Sequence, residues 1–434
     1  MKKTICALMA LAMILTFAAC GKSQEPPSGI FYDITGIAPD ETVMEVDGNA
    51  VPAELYFYWT AYNCSLIDYQ ILNANAYYGA YSDLVGEDGA LIWDGELSEG
   101  QTVNQFALAQ VEDTVTFYAA LENMAKEYGV EMTEEDKETM AANRAAAVEE
   151  LGSEEAFQDY LAKLGLREEN FERLSMAAYL MDGLTDLVLE EGSPLYLAPE
   201  DYDQYATYAD HILLSTKDAT TGASLSEEEI AAKRSTAEDL LSQLQKAENV
   251  EELFAQLADE YSEDPGRASK PTGYIYTPGS MVSQFEDAAS VLAPGEISGI
   301  VESDYGFHII LRRDLMEGLD NDPDQKRAIA ETHMQSLVEL TMQEAEVTRN
   351  DVLADMDPGA FYVSYTTRLD ELAAAEEAEN AAGGTSNGTS DGTSDDTSDG
   401  ASNSSTAGSN DTADGNAAGN DTADNTAENS GENG

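Results

Sequence analysis

The sequence predicts an α+β chain: a small sheet-and-helix domain, residues 206–315, is inserted into a mainly helical domain, and a disordered tail follows. Three observations predict it. Two short apolar runs, Ala209-Asp210-His211-Ile212-Leu213-Leu214 and Tyr305-Gly306-Phe307-His308-Ile309-Ile310-Leu311, carry strand-type residues about a hundred positions apart and can pair in one sheet. Long stretches of helical periodicity lie on both sides of them. From Ala381 onward the chain is Gly, Ser, Thr, Asn, Asp and Ala with near-repeats and no aromatic or basic residue, a composition that does not bury a core.

The ends are read first. Lys2 and Lys3 precede an apolar run over residues 5–17 that is too short and too early to be a spanning helix, and Phe17-Ala18-Ala19-Cys20-Gly21 has the form of a bacterial secretory signal. Residues 15–20 resemble the lipobox of bacterial lipoproteins, in which the cysteine becomes the lipidated first residue. The resemblance implies a signal peptide over 1–19, a lipid on Cys20, a tether over 20–40 and attachment to the outer face of a bacterial cell membrane. With Cys6 in the signal and Cys20 lipidated, Cys64 is left alone and no internal disulfide is expected; it reads as a small buried apolar group rather than a nucleophile.

Acids outnumber bases 84 to 21, a formal charge of -63. A field of that sign repels phosphate backbones and argues against nucleic acid as a partner. Only ten of the 84 acids lie beyond Ala381, so 74 belong to the rest of the chain. Pairs such as Asp395-Asp396 lack the ordered spacing of a Ca²⁺ loop.

In the first helical part, residues 41–205, Val43-Met44-Glu45-Val46-Asp47-Gly48 alternates as a strand, and Val51-Pro52 opens a helix dense in aromatics. Residues 77–100 read as a loop. A helix over 103–128 follows, with Phe106, Ala109, Val111, Val115, Tyr118 and Leu121 as its apolar stripe; others are expected from a cap at 131–136 to Leu151, from Ser153 to Leu164, and over 167–190. Residues 200–205 form a short acidic helix. Beyond the insert, in 316–375, Asp322-Pro323 caps a helix to about Thr348, and Ala360-Phe361-Tyr362-Val363 reads as a strand after a turn at Asp357-Pro358-Gly359. These last elements are too few for a core of their own and are expected to dock on the earlier helices. The tail is assigned to 376–434. His333 reads as a surface residue.

Inside the insert the expected order is strand, helix, helix, strand, helix, strand, strand. Phe254-Ala255-Gln256-Leu257-Ala258-Asp259-Glu260-Tyr261-Ser262-Glu263-Asp264-Pro265-Gly266 resembles the "FAxLAxxYSxDPG" run of parvulin-type peptidyl-prolyl isomerases. Gly279-Ser280-Met281-Val282-Ser283-Gln284-Phe285-Glu286-Asp287-Ala288-Ala289 is similar to their "GxMVxxFExAA" helix, and Leu292-Ala293-Pro294-Gly295-Glu296-Ile297-Ser298 and Ser303-Asp304-Tyr305-Gly306-Phe307-His308-Ile309-Ile310 resemble "LxPGEIS" and "TxxGxHII". The layout, with the lipobox and Val46-Asp47-Gly48, extends the resemblance to the foldase lipoproteins of Gram-positive bacteria.

That resemblance implies paired histidines at His211 and His308, hydrogen-bonded to each other, the family's Cys-or-Asp position at Asp264, and a hydroxyl partner at Ser303. It implies a proline pocket lined by Met281 and Phe285, four apart on one helix face, with Leu213 or Ile310 behind. It implies no cofactor and no metal, unfolded exported polypeptides with X-Pro bonds as clients, and leaves a homodimer open. Two departures stand out. The family's "GGDLG" is replaced by Lys270-Pro271-Thr272-Gly273-Tyr274, and the loop 215–226 lacks the basic cluster of members that act before phosphorylated residues. Two functions compete: an isomerase and foldase, or a holdase that keeps the isomerase fold as a scaffold. A solute-binding lipoprotein is disfavoured, since two α/β lobes are missing.

Overall fold

A computed structural model describes residues 28–383; the expected signal, the lipidation position Cys20 and the tail beyond Gly383 lie outside the described residues. The described chain through Glu376 makes one compact unit. Its first helix, α1 (Ile30–Thr35), is followed by a hairpin of β1 (Thr42–Val46) and β2 (Asn49–Pro52), then by α2 (Ala53–Tyr78). Ile30 and Phe31 are buried, and Phe31 meets Phe57 of α2 at 6.1 Å between ring centres, so the expected tether ends before Ile30. Pro52 stands at the N-cap of α2 because residues 49–52 pair with β1, which moves the helix start one residue beyond the expected one.

After a short hairpin of β3 (Glu96–Ser98) and β4 (Gln101–Thr102) come α3 (Val103–Tyr128), α4 (Glu134–Leu151), α5 (Glu154–Lys163) and α6 (Glu168–Leu189). Capping boxes at Thr102 with Gln105 and at Thr133 with Asp136 start α3 and α4, and left-handed Gly129 and Gly152 end them. The buried line on α3 runs through Val103, Ala107, Val111, Val115 and Ala119, one helical turn apart; Ala109, expected in the stripe, faces solvent. Helix α4 buries no residue and is tied down by Arg144, whose guanidinium bonds Glu154 and Glu168 and lies 4.9 Å from the centre of the Phe157 ring.

A 3-10 turn over Pro199–Gln204 leads into the central sheet. Its elements are β5 (Thr207–Ser215), α7 (Glu227–Leu244), α8 (Val250–Tyr261), β6 (Tyr274–Tyr276), α9 (Ser283–Ser290), β7 (Val301–Ser303) and β8 (Gly306–Arg312), in the order the sequence predicts. The strands align as β6-β5-β8-β7, all antiparallel, with His211 opposite Ile310 and Leu213 opposite His308. Alternation then sorts the side chains. Ile212, Leu214, Phe307, Ile309 and Leu311 pack against Ala237, Leu240 and Leu244 of α7 and Phe254 and Leu257 of α8. Ala209 and Ile310 face the other way, onto Phe285 and Ala289 of α9. Gly273 holds φ +101°, and a β-carbon there would run into the Ala209 carbonyl, so only glycine lets β6 lie this close to β5.

The chain then returns through α10 (Leu315–Asp320) and α11 (Pro323–Glu344) to β9 (Val347–Arg349) and α12 (Pro358–Gly383). Helix α11 packs on α3 and α6, burying Ile329, Ala330, Met334 and Val338 with Leu184 and Val188. It stops at Glu344, short of the expected Thr348, because Val347–Arg349 completes a sheet with β1, Val46 standing opposite Val347. Residues 360–363 are helical rather than a strand. Asp357 caps α12 by accepting the Ala360 N–H, and Phe361 and Tyr365, one turn apart, both pack on Phe31 at 5.6 Å. The helix runs through Gly383, past the expected start of the tail at 376. Among the described residues no helix is long and apolar enough to cross a membrane.

Candidate active site

His211 on β5 and His308 on β8 come together because their strands pair two residues out of step on one face. Their rings meet edge to face, 5.3 Å between centres. Phe285 of α9 closes a triangle, 5.2 Å from His211 and 5.8 Å from His308, with Tyr276 a further 5.9 Å from Phe285. The expected hydrogen bond between the two imidazoles is not formed: both ring nitrogens of His211 and Nδ1 of His308 are buried without a hydrogen-bond partner. With Phe285 against both rings, aromatic contact takes the place of that bond.

Asp264 sits at the cap of a 3-10 turn, Pro265–Ala268, where its Oδ1 accepts the Gly266 N–H at 3.1 Å. Oδ2 accepts the Tyr274 hydroxyl at 2.6 Å and lies 3.3 Å from His211 Nε2, near enough for electrostatic contact but without the alignment of a hydrogen bond. Burial opposes charge on Asp264, yet His211, the Tyr274 hydroxyl and the Gly266 amide outweigh it and hold the carboxyl well below the usual carboxylate range. Tyr274 is the counterpart: burial, then the bond to Asp264, push its phenol up. Ser303 Oγ lies 2.7 Å from His308 Nε2 and also accepts the Tyr305 N–H. Burial, reinforced by His211, lowers His308 to about 4, so its imidazole is neutral at ordinary pH.

Met281 is not on α9. It precedes the helix by two residues, in a loop that Glu286 ties down by accepting the N–H groups of Gly279 and Met281 at 3.0 and 2.8 Å. Half-buried there, it packs with Phe285, Ala209 and Ile310, so both expected lining residues share one apolar cluster, with Ile310 rather than Leu213 behind them. Tyr274 and Glu286 escaped the sequence reading of the site. Each acts through reach across a loop, for which neither spacing nor composition leaves a signal. His333, expected at the surface, is half-buried, with its Nδ1 2.6 Å from the Tyr205 hydroxyl and its pKa lowered by burial. Cys64 lies elsewhere, buried beneath α12 with its thiol pushed up to about 12, first by burial. Among the described residues no group of three or more His, Cys, Asp or Glu side chains is placed to hold a metal ion.

Residues 211–314, which begin at the first histidine and end just past the second, match the rotamase family model, the PPIC-type PPIase domain. They form a parvulin-type PPIase domain. All four motifs lie within it: the first runs along α8 into the Asp264 turn, the second along α9, and the last through β7 and β8. The foldase protein PrsA of Geobacillus sp. (strain WCH70) is 37% identical over 128 residues, 27% of this chain and 44% of that protein. PrsA of Geobacillus kaustophilus is 47% identical over 77 residues, 17% of this chain and 26% of that one. The chain thus matches less than half the length of these curated relatives. A crystal structure of PrsA from Bacillus cereus aligns with 62% of this chain and 96% of its own, at 19% identity and a TM-score of 0.28. Within the rotamase domain, the replaced loop at 270–274 is built into the site, since Gly273 seats β6 and Tyr274 bonds Asp264.

Proposed function

We propose that the chain is a peptidyl-prolyl cis/trans isomerase and foldase that acts on X-Pro bonds of exported polypeptides. The observation that carries this reading is the triangle of His211, His308 and Phe285, with Met281 beside it and an anionic Asp264 at its rim. Unaided, an X-Pro bond crosses a barrier of about 20 kcal/mol in tens to hundreds of seconds. No covalent bond breaks, so neither nucleophile nor leaving group is needed. Met281 and Phe285 grip the pyrrolidine ring. The His308 ring forms a floor that accepts a twisted amide without desolvating a charge, because it is neutral. Asp264, held in place by Tyr274, sets the field across the rotating carbonyl; electrostatics aimed at the twisted state is what lowers such a barrier.

The same proposal assigns His211, His308, Asp264 and Ser303 to the catalytic group, and Met281 and Phe285 to substrate binding. Cys20 would carry a lipid that holds the protein on the outer face of the membrane of a Gram-positive bacterium, with the helical part, before and after the rotamase domain, offering surface to unfolded chains. The assembled site weighs against the holdase alternative, since the loop that departs from the family pattern supports Asp264 instead of displacing it.

The test is isomerisation of an unstructured X-Pro peptide followed by NMR exchange spectroscopy with the full chain. Acceleration over buffer is expected, with a loss of about tenfold or more in Phe285→Leu, which keeps an apolar, though smaller, side chain and removes the ring. A folded parent chain that leaves the exchange rate at the buffer value would overturn the enzymatic reading in favour of the holdase.

A further inference from the structure

Helix α2 has two unlike faces. Thr60, Cys64, Ile67 and Ile71 form its buried side. On the opposite side Tyr62, Leu66, Tyr69 and Tyr77 fall in line and face solvent, the three tyrosines 44%, 68% and 79% exposed. Tyr78, 86% exposed, and Tyr81 continue the surface past the Gly79 cap. From Tyr62 to Tyr78 the face is about 24 Å long at the helical rise. Core helices of globular proteins do not normally leave such a row in water.

Three further features say what kind of molecule covers it. Between Lys22 and Lys126 the sequence contains no lysine, arginine or histidine, while Asp83, Glu87, Asp88 and Asp94, all exposed, lie in the loop that follows the helix. The arginines that reach this part of the chain from elsewhere pair with its acids, Arg167 with Glu54, Arg173 with Glu122, Arg349 with Glu112 and Arg368 with Asp33. Tyr81 is held at φ 60°, a left-handed conformation uncommon for a bulky residue, and its ring still points to solvent. At the other end the row is fixed to the core, because Tyr62 meets Trp59 edge to face at 5.5 Å. A row of phenol faces that runs toward an acidic loop attracts cations over its rings and repels anions, anionic lipid surfaces and a second copy of itself.

We infer that the outer face of α2 is a docking surface for unstructured polypeptide segments rich in lysine and arginine. The inference rests on the reading of the chain as a handler of polypeptide clients but not on its isomerase activity. Capture here needs no proline, and it would select basic stretches of a client.

The experiment is fluorescence anisotropy of a labelled, unstructured, proline-free peptide of lysine, serine, glycine and leucine titrated with the full chain. A second peptide has glutamate in place of lysine. Binding of the lysine peptide is expected, weakening as salt rises, with none of the glutamate peptide. The triple variant Tyr69→Ser/Tyr77→Ser/Tyr78→Ser should bind the lysine peptide about tenfold more weakly or worse, and Tyr69→Phe/Tyr77→Phe/Tyr78→Phe should retain most of the affinity, since the ring face and not the hydroxyl holds the cation. An unchanged melting curve for the serine variant shows that it is folded; should it melt early, Tyr77→Ser alone is used. Equal binding of both peptides, or full affinity in the folded serine variant, overturns the inference. So does a parent chain that binds neither peptide but self-associates in light scattering through these tyrosines. Isomerisation of the X-Pro peptide by the same samples is read separately, so failure of capture and failure of catalysis are distinguishable.

Discussion

His308 is the residue whose environment makes the sharpest demand on pH. Its folded value of about 4 lies below the ordinary histidine value near 6.5, chiefly because the ring is buried. As pH falls through about 6.5 the unfolded chain takes a proton that the folded chain refuses, so stability contributed by the neutral ring is complete above that pH and is lost between about 6.5 and 4. Urea unfolding at pH 7 and pH 4.5 should therefore differ by about 2 kcal/mol from this group, and His308→Gln should shrink the difference. A pH dependence identical in the variant would remove His308 as its source. Asp264 works in the other window: with a depressed value it loses its contribution only below about pH 4. Tyr274→Phe keeps the ring and deletes the bond to Asp264. A fall in stability of about 1–2 kcal/mol is expected, with slower isomerisation and an Asp264 carboxyl that titrates higher in ¹³C NMR; an unmoved titration would show that the hydroxyl does not tune the carboxylate.

Elements differ in how openly the sequence announces them. Strands β5 and β8 were legible because both faces of each are covered, and a doubly buried strand leaves a continuous apolar run. Those runs made the pairing a sequence inference, and the four motifs between and around them, more than the two histidines, placed the expected site. Residues 360–363 misled for a physical reason. Phe361, Tyr362 and Val363 prefer strands, but Asp357 and Pro358 start a helix and the aromatics then pack on Phe31 and Phe57. Spacing puts Met281 on the helix of Phe285, whereas the carboxylate of Glu286 holds the preceding residues in a loop. No pattern in the chain shows that contact, nor the reach of Tyr274. Removing the α12 cap tests the balance: Asp357→Ala should cost about 1–2 kcal/mol in urea unfolding. Its carboxylate also accepts a bond from Asn104 of α3 at 2.7 Å, so the loss is felt between two helices.

At the scale of the molecule, charge is the dominant fact. A formal -63 over 434 residues is large, only ten of the 84 acids lie beyond Ala381, and repulsion among exposed carboxylates works against compactness. Screening relieves it. The melting temperature should rise as sodium chloride is added at pH 7, before any salt-specific effect enters; a falling melting point would mean that attractive pairs such as Arg173 with Glu122 outweigh the repulsion.

The pairing of β1 with β9 joins residues near 45 to residues near 348. Synthesis runs from one end, so the strand at 42–46 is made early and waits through the whole central domain for its partner. The rotamase sheet, by contrast, is complete once Arg312 is made. A nascent chain cut off just after residue 320 would thus carry a finished four-stranded sheet on an unfinished helical support. The last part of the protein to close is the part that frames the domain, and a truncation before Pro323 would leave the central sheet complete while exposing the apolar sides of α3 and α6 that α11 covers.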